Sequence, residues 1–211
     1  MKRSLIALFS LLLLLSLSNN ALACACCAEP GTYFLRTAKP EAFHLELLGE
    51  MKFGPSVALY MTEAGFDMIK GLDQISKESE NESWVAGSDA FGLVASFTSR
   101  TWKFNIKTKT GKSGTLTLPI PSQMVNYKVD AHDTEPNREI ELYKELRFKG
   151  AVSGGTGIFQ SGIVKPTTYF LVFQGRGNGC DNSFDYTHWR LEIEGHKAKY
   201  VFFGEMNTPE P

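Results

Sequence analysis

The sequence predicts an all-β fold, a single antiparallel barrel or sandwich of eight or more strands with one short helix. The first observation is the alternation of apolar and polar residues with a period of two, which is typical of half-buried strands. The second is composition, because 15 Phe, 7 Tyr and 3 Trp make the chain rich in residues that favour strands. The third is the fairly even spacing of turn residues between apolar stretches. No repeat with a period of about 20 to 50 residues is visible, which excludes solenoids and propellers.

Two β-hairpins are the clearest local predictions. In the first, apolar and polar residues alternate over 102–107, and the alternation resumes over 116–120 after a glycine-containing tip. In the second, residues 189–193 alternate in the same way, the chain turns at His196, and residues 198–203 run back. Each pair is expected to place one face against the core and the other in water.

Further elements complete the predicted fold. Short apolar stretches between turn residues indicate four more strands, at 43–47, 93–97, 146–148 and 169–173. The helix is predicted over 62–75, where Phe66, Ile69 and Leu72 recur every three residues. Two glycines within that stretch each weaken a helix by about 1 kcal/mol relative to Ala.

The N-terminal residues have the pattern of an export signal. A basic head of two residues precedes an apolar run over 5–17, and small residues end the leader at Ala23. About 14 apolar residues fall short of the roughly 20 that a transmembrane helix needs. We therefore expect a signal peptide at 1–23 and a single exported β domain at 24–211. The expected location is extracytoplasmic: the periplasm, the outer surface or the medium.

Four cysteines are the candidates for a disulfide or a metal site, and they are Cys24, Cys26, Cys27 and Cys180. Thiols tend to pair in an oxidising compartment. A disulfide between one of the three N-terminal cysteines and Cys180 would close a loop of about 150 residues and stabilise the fold by about 4 to 5 kcal/mol. Cys26 and Cys27 do not suit one another, because adjacent Cα atoms are about 3.8 Å apart and a relaxed disulfide needs about 5.5 Å.

Two other interpretations of the cysteines stay open. Cys24 follows the leader directly and is a candidate for lipid attachment, which would tether the protein to a membrane. The residues Ala21-Leu22-Ala23 depart from the ending of bacterial lipoprotein leaders, so ordinary cleavage after Ala23 is favoured. Alternatively, the clustered thiolates would bind Cu or Zn. Zinc sites usually space two ligands by two to four residues and use four in total, and no second pair with that spacing occurs.

A glycine-rich segment at 150–159 lacks the Lys-Ser/Thr pair of a nucleotide-binding loop and is predicted to form a turn or bulge. Within it, Gly154-Gly155-Thr156-Gly157-x-Phe159, followed by Gly162, resembles the Gly-Gly-Thr-Gly-x-Phe motif of dirigent and allene oxide cyclase-like barrels. The resemblance covers this segment alone. It implies an antiparallel barrel with a hydrophobic interior cavity in an exported or organellar protein, and no catalytic residue is carried over.

Three polar residues form the strongest candidate for a chemical site: Asp181, Asp185 and His188. Carboxylate and imidazole groups together would hold a metal or transfer protons. A loop in which Asp and Asn side chains cap turns is the favoured interpretation.

The acidic stretch at 130–135 has oxygen ligands at alternate positions like a calcium loop. It lacks the turn glycine and the final glutamate, and is predicted to be a solvated loop.

Other functional classes find little support. No Gly-x-Ser-x-Gly elbow is present, which argues against an α/β-hydrolase. Trp84, Trp102 and Trp189 are candidates for a face that binds sugars or peptidoglycan. Trp102 and Trp189 are in phase with core-facing residues, so we expect both to be buried.

The charge balance limits the partners. Loss of residues 1–23 leaves 20 Lys plus Arg against 23 Asp plus Glu, a net charge of −3. Without a basic excess, nucleic-acid binding is not expected. The predicted function is a non-enzymatic binding or structural module of the cell envelope or exterior, with no cofactor. The alternatives are a thiol or metal protein that uses the cysteines, and a barrel enzyme with a small hydrophobic ligand in its interior.

Overall fold

The computed structural model describes residues 33–59, 69–72, 91–98, 100–130, 142–177 and 182–207. The predicted leader, the four cysteines, Asp181, Trp84 and residues 131–135 of the acidic loop lie outside these ranges. No helix within the described ranges is both long enough and apolar enough to cross a membrane.

The described residues form eleven β-strands, one α-helix and two short 3₁₀ turns. The strands are β1 (Tyr33–Ala38), β2 (Ser56–Leu59), β3 (Phe91–Thr98), β4 (Thr101–Thr108), β5 (Ser113–Pro119), β6 (Met124–Asp130), β7 (Leu142–Ala151), β8 (Gly154–Gly155), β9 (Thr167–Arg176), β10 (Tyr186–Gly195) and β11 (Lys199–Glu205). The helix is α1 (Ala42–Glu50), and the 3₁₀ turns are Gly157–Phe159 and Ser183–Asp185. The predicted all-β class and both predicted hairpins are confirmed.

All neighbouring strands pair antiparallel in one sheet, in the order β1-β6-β7-β9-β10-β11-β2-β3-β4-β5-β8. Among the described residues the sheet does not close, and β1 and β8 are its two edges. Only Val152 and Ser153 separate β7 from β8. The Val152 N–H donates to Thr167 O of β9, whereas the Ser153 N–H donates to Thr117 O of β5. This segment therefore brings the β8 edge back to the middle of the sheet. The sheet curls around an interior, as in an open barrel or a sandwich, and we call this curled sheet the barrel.

Alternation decides which side chains fill the barrel. In β4, Trp102, Phe104 and Ile106 are buried while the residues between them face outward. Every strand from β7 to β11 except the two-residue β8 contributes inward-facing apolar side chains in the same way. Phe53 packs edge-on against Phe104 and Trp189 at ring-centroid distances of 5.2 and 5.6 Å. The interior is thus packed with interlocking aromatic rings.

The strand predicted at 43–47 is wrong, because this stretch belongs to α1. The buried residues His44, Leu47 and Leu48 have helical spacing and lie on one side of the helix. Glu41 closes the first turn, since its side chain accepts from the His44 N–H while its own N–H donates to His44 Nδ1. The alternation of apolar residues in this stretch was therefore fortuitous.

The prediction of a helix over 62–75 is also wrong at 69–72, the part of this stretch that the structure describes. Lys70 forms an isolated antiparallel bridge with Lys199, with N–O distances of 3.2 and 3.0 Å. Gly71 has φ 78°, which no α-helix accommodates. The remainder of that prediction lies outside the described residues.

Candidate functional site

The structure describes two of the three polar residues that the sequence grouped together. Asp185 ends the second 3₁₀ turn and is buried. His188 lies on the exposed side of β10, where its Nδ1 is 2.9 Å from Thr187 Oγ1. Asp181 is outside the described residues. Asp185 is thus buried while His188 is exposed, and the carboxylate and imidazole site that includes Asp181 stays a prediction.

Asp185 is instead bonded to a lysine that sequence reasoning missed. Lys144 of β7 donates from Nζ to Asp185 Oδ2, and its side chain is only 1% exposed. Asn182 Nδ2 donates to Asp185 Oδ1 at 3.0 Å. A signal was available, because Lys144 is in phase with the buried Leu142 and Leu146 of its strand.

The ion pair has the properties of a structural contact. Both charges are buried and each has an opposite partner, so the pair attaches the 3₁₀ turn to β7. Gly175 faces Lys144 across the β7–β9 ladder. A Cβ at Gly175 would overlap the Asp185 carbonyl oxygen, so the close approach of the turn requires glycine there.

A second group of polar side chains lies on the outside of the barrel, and we call it the outer-face cluster: Tyr127, Tyr143, Glu145 and Arg147. The cluster arises from the register of β6 against β7, which places Tyr127 opposite Glu145. Tyr143 and Arg147 lie on β7, two residues before and two residues after Glu145. Residues opposite one another in an antiparallel pair share a face of the sheet. The four side chains are half-buried.

The outer-face cluster is held together by direct contacts. Tyr143 Oη donates to one oxygen of Glu145, and Arg147 Nε donates to the other. Arg147 Cζ lies 4.9 Å from the centroid of the Tyr127 ring, within the range of a cation–π interaction. The Tyr127 and Tyr143 rings meet edge-on with their centroids 6.3 Å apart. The positions of all four side chains are therefore coupled.

The electrostatics of the cluster favour hydrogen bonding over proton transfer. Burial, and then the hydrogen bond to Glu145, raise the pKa of Tyr143 to about 12. The phenol consequently stays protonated near neutral pH and acts as a donor. The Glu145 carboxylate accepts one hydrogen bond at each of its two oxygens.

The surface around the cluster continues over adjacent strands. Gln174 and His188 follow Glu145 in the same cross-strand row, on β9 and β10. On the other side, Leu35 of β1 lies opposite Tyr127 and is 56% exposed. The outer face from β1 to β10 is therefore a mixed aromatic and polar surface.

The interior offers a different environment. Trp102 and Trp189 are each 1% exposed, which confirms that both are buried. Their indole N–H groups have no acceptor among the described residues, so these tryptophans contribute through packing. Burial also raises the pKa of Tyr169 and of Tyr200. Neither tryptophan is available to an external sugar.

The glycine motif has a clear place in the fold. Gly154 and Gly155 form β8, and Thr156 Oγ1 accepts from the Thr115 N–H at 3.2 Å. Gly157 has φ 58°, and the following Phe159 is fully buried. The motif thus joins the β8 edge to β5, while its resemblance to the dirigent and allene oxide cyclase-like motif stays a prediction.

Within the described part of the chain, no group of three or more His, Cys, Asp or Glu side chains lies close enough to hold a metal ion. The metal alternative rested on the four cysteines, which lie outside that part. No family model, no curated protein and no solved structure matches this chain.

Proposed function

We propose that the protein is a non-enzymatic binding module of the cell envelope or exterior, and that it binds its ligand through the outer-face cluster. The observation that carries the proposal is the mutual fixation of Tyr127, Tyr143, Glu145 and Arg147 on an external face. A preorganised surface loses little side-chain entropy when it binds. The predicted export of the chain supports an extracytoplasmic ligand.

The distribution of side chains between interior and exterior supports an external binding surface. Large apolar residues fill the inside of the barrel, including Phe104, Phe148, Phe173 and Phe202, each 0% exposed. The outer-face cluster gathers hydrogen-bonding groups from β6 and β7 on the other side of the sheet. A ligand would therefore lie across β6 and β7.

The chemistry of the cluster favours a polysaccharide of the cell envelope, such as peptidoglycan. Aromatic rings pack against the apolar faces of sugar rings, while guanidinium and carboxylate groups bond to hydroxyl groups. Tyr127 and Tyr143 supply the rings, and Arg147 and Glu145 supply the polar groups. This assigns to tyrosines the role that the sequence suggested for tryptophans.

Co-sedimentation with insoluble peptidoglycan sacculi, with a neutral soluble polysaccharide as competitor, tests the proposal. We expect the double variant Tyr127→Ala/Arg147→Ala to bind sacculi at least about tenfold more weakly, a loss of about 1.4 kcal/mol. The matched control is Lys103→Ala/Asn105→Ala, which removes two exposed side chains from the outer face of β4. Control and parent should bind equally. Equal binding by all three proteins would overturn the assignment to this face, and an unbound parent would overturn the peptidoglycan ligand.

A further inference from the structure

We propose that β1 pairs with β1 of a second copy of this chain. The two strands would run antiparallel about a two-fold axis at Leu35, and the two sheets would become one. This inference concerns the edge of the sheet and does not depend on the ligand of the outer-face cluster.

The first step is the position of β1. Among the described strands it is the terminal one and pairs with β6 alone, in an unbroken register from Tyr33 opposite Val129 to Ala38 opposite Met124. The other edge, β8, is two residues long. In the described part of the chain, β1 is thus the long edge with backbone groups available for a further strand.

The second step is the absence of features that protect an edge strand. Proteins commonly shield edges with lysine, proline, a bulge or a very short strand. The six residues of β1 include no lysine and no proline, and the pairing of β1 with β6 has no bulge. The one charged residue of β1 is Arg36, which is exposed. Tyr33, Phe34 and Leu35 are 71%, 43% and 56% exposed. Such an edge favours the addition of a strand.

The third step identifies the occupant, because β1 is complementary to itself. A two-fold axis perpendicular to an antiparallel sheet places one residue opposite its own copy. With Leu35 at the axis, Phe34 faces Arg36 of the second copy and Tyr33 faces its Thr37. The pairs combine apolar contact at the centre with two symmetry-related arginine–aromatic contacts.

Other positions of the two-fold axis along β1 are less favourable. An axis at Arg36 would place two like charges opposite one another, which destabilises a strand pair. An axis at Phe34 would leave only residues 33–35 of β1 paired, because the strand begins at Tyr33. Leu35 is therefore the centre that pairs five positions without charge repulsion.

Sedimentation equilibrium of the full exported protein at micromolar concentrations tests the dimer. A reducing agent is included so that links between cysteines do not contribute. We expect reversible formation of a species with twice the chain mass, since a short interface gives weak association. Phe34→Lys would place a lysine opposite Arg36 and should weaken dimerisation about tenfold or more. Phe34→Glu would place a carboxylate there and should preserve the dimer.

Val94→Lys is the matched control, because Val94 is 73% exposed on β3, away from the edge. It should leave the dimer intact. A parent that stays monomeric overturns the proposal, and so does equal loss of association in Phe34→Lys and Phe34→Glu. Hydrogen exchange supplies an independent measurement. Alternate amides of residues 33–38 donate to β6 and are protected in any case. Protection, in a monomer, of the amides that point away from β6 would mean that another segment of the same chain covers β1, which would also overturn the proposal.

Discussion

At the level of single residues, Lys144 shows how a charged side chain is accommodated in the barrel wall. Its aliphatic part lies among the inward-facing residues of β7, and its ammonium group meets Asp185. Removing one member leaves the other charge buried without its partner, which typically costs about 3 to 5 kcal/mol. Removing both leaves no such charge.

We therefore expect Lys144→Met and Asp185→Asn each to lower the free energy of unfolding by about 3 to 5 kcal/mol. The double variant should cost less than the sum of the two. Urea unfolding measures all three, and the control is Lys149→Met, an exposed position of the same strand whose cost should stay within about 0.5 kcal/mol. Additive costs in the double variant would show that the two residues act independently.

Tyr143 gives a prediction for alkaline pH. Its pKa is about 12 in the folded protein and about 10 when unfolded. The folded state therefore holds the proton more tightly, so this contribution to stability is complete below pH 10 and is lost as pH rises towards 12. Tyrosinate absorbance of the parent minus that of Tyr143→Phe should report this ionisation. Glu145→Gln should shift it to lower pH, and an unshifted titration would contradict the role of Glu145.

At the level of elements, the glycine motif between β8 and β5 provides an internal comparison. Gly157 has φ 58°, and a Cβ there would overlap the Ser113 carbonyl oxygen. A Cβ at Gly154 would meet nothing within 4 Å. The two glycines therefore differ in what they contribute, although both belong to the same sequence motif.

We expect Gly157→Ala to destabilise the fold by at least about 2 kcal/mol, from backbone strain and steric overlap together. Gly154→Ala should stay within about 1 kcal/mol of the parent. Thermal or urea unfolding distinguishes them. Equal effects of the two substitutions would show that the local turn geometry is not what the motif requires.

Strands with one buried apolar face and one exposed polar face were predictable from the sequence. The exposed edge strand β1 and the short helix α1 were not. β4, β5 and β10 alternate clearly because one face meets the core and the other meets water. β1 is exposed along most of its length, so burial imposes no alternation on it. The sequence predicted a strand in place of α1 because three of its apolar residues, at 43, 45 and 47, coincide with a period of two in so short an element.

At the level of the whole molecule, the antiparallel barrel or sandwich architecture was predictable and the outer-face cluster was not. Residues 127 and 145 become neighbours only through the pairing of β6 with β7, which depends on register. Lys144 and Asp185 are likewise 41 residues apart in the chain. Single side chains can be assigned to a face from the pattern of one strand, but their partners are set by the arrangement of all strands.

The pairing of β2 with β11 has a consequence for biosynthesis. Leu59 of β2 lies opposite Phe202 of β11. Strand β2 is near the start of the chain, and its partner β11 is the last of the described strands. Because the chain is synthesised from its N-terminus, β2 and β11 pair only after nearly the whole chain has been made. Pairing between such distant strands folds slowly. The nascent protein therefore leaves one side of β2 without its partner strand until β11 has been synthesised, and a holding chaperone would protect β2 until then.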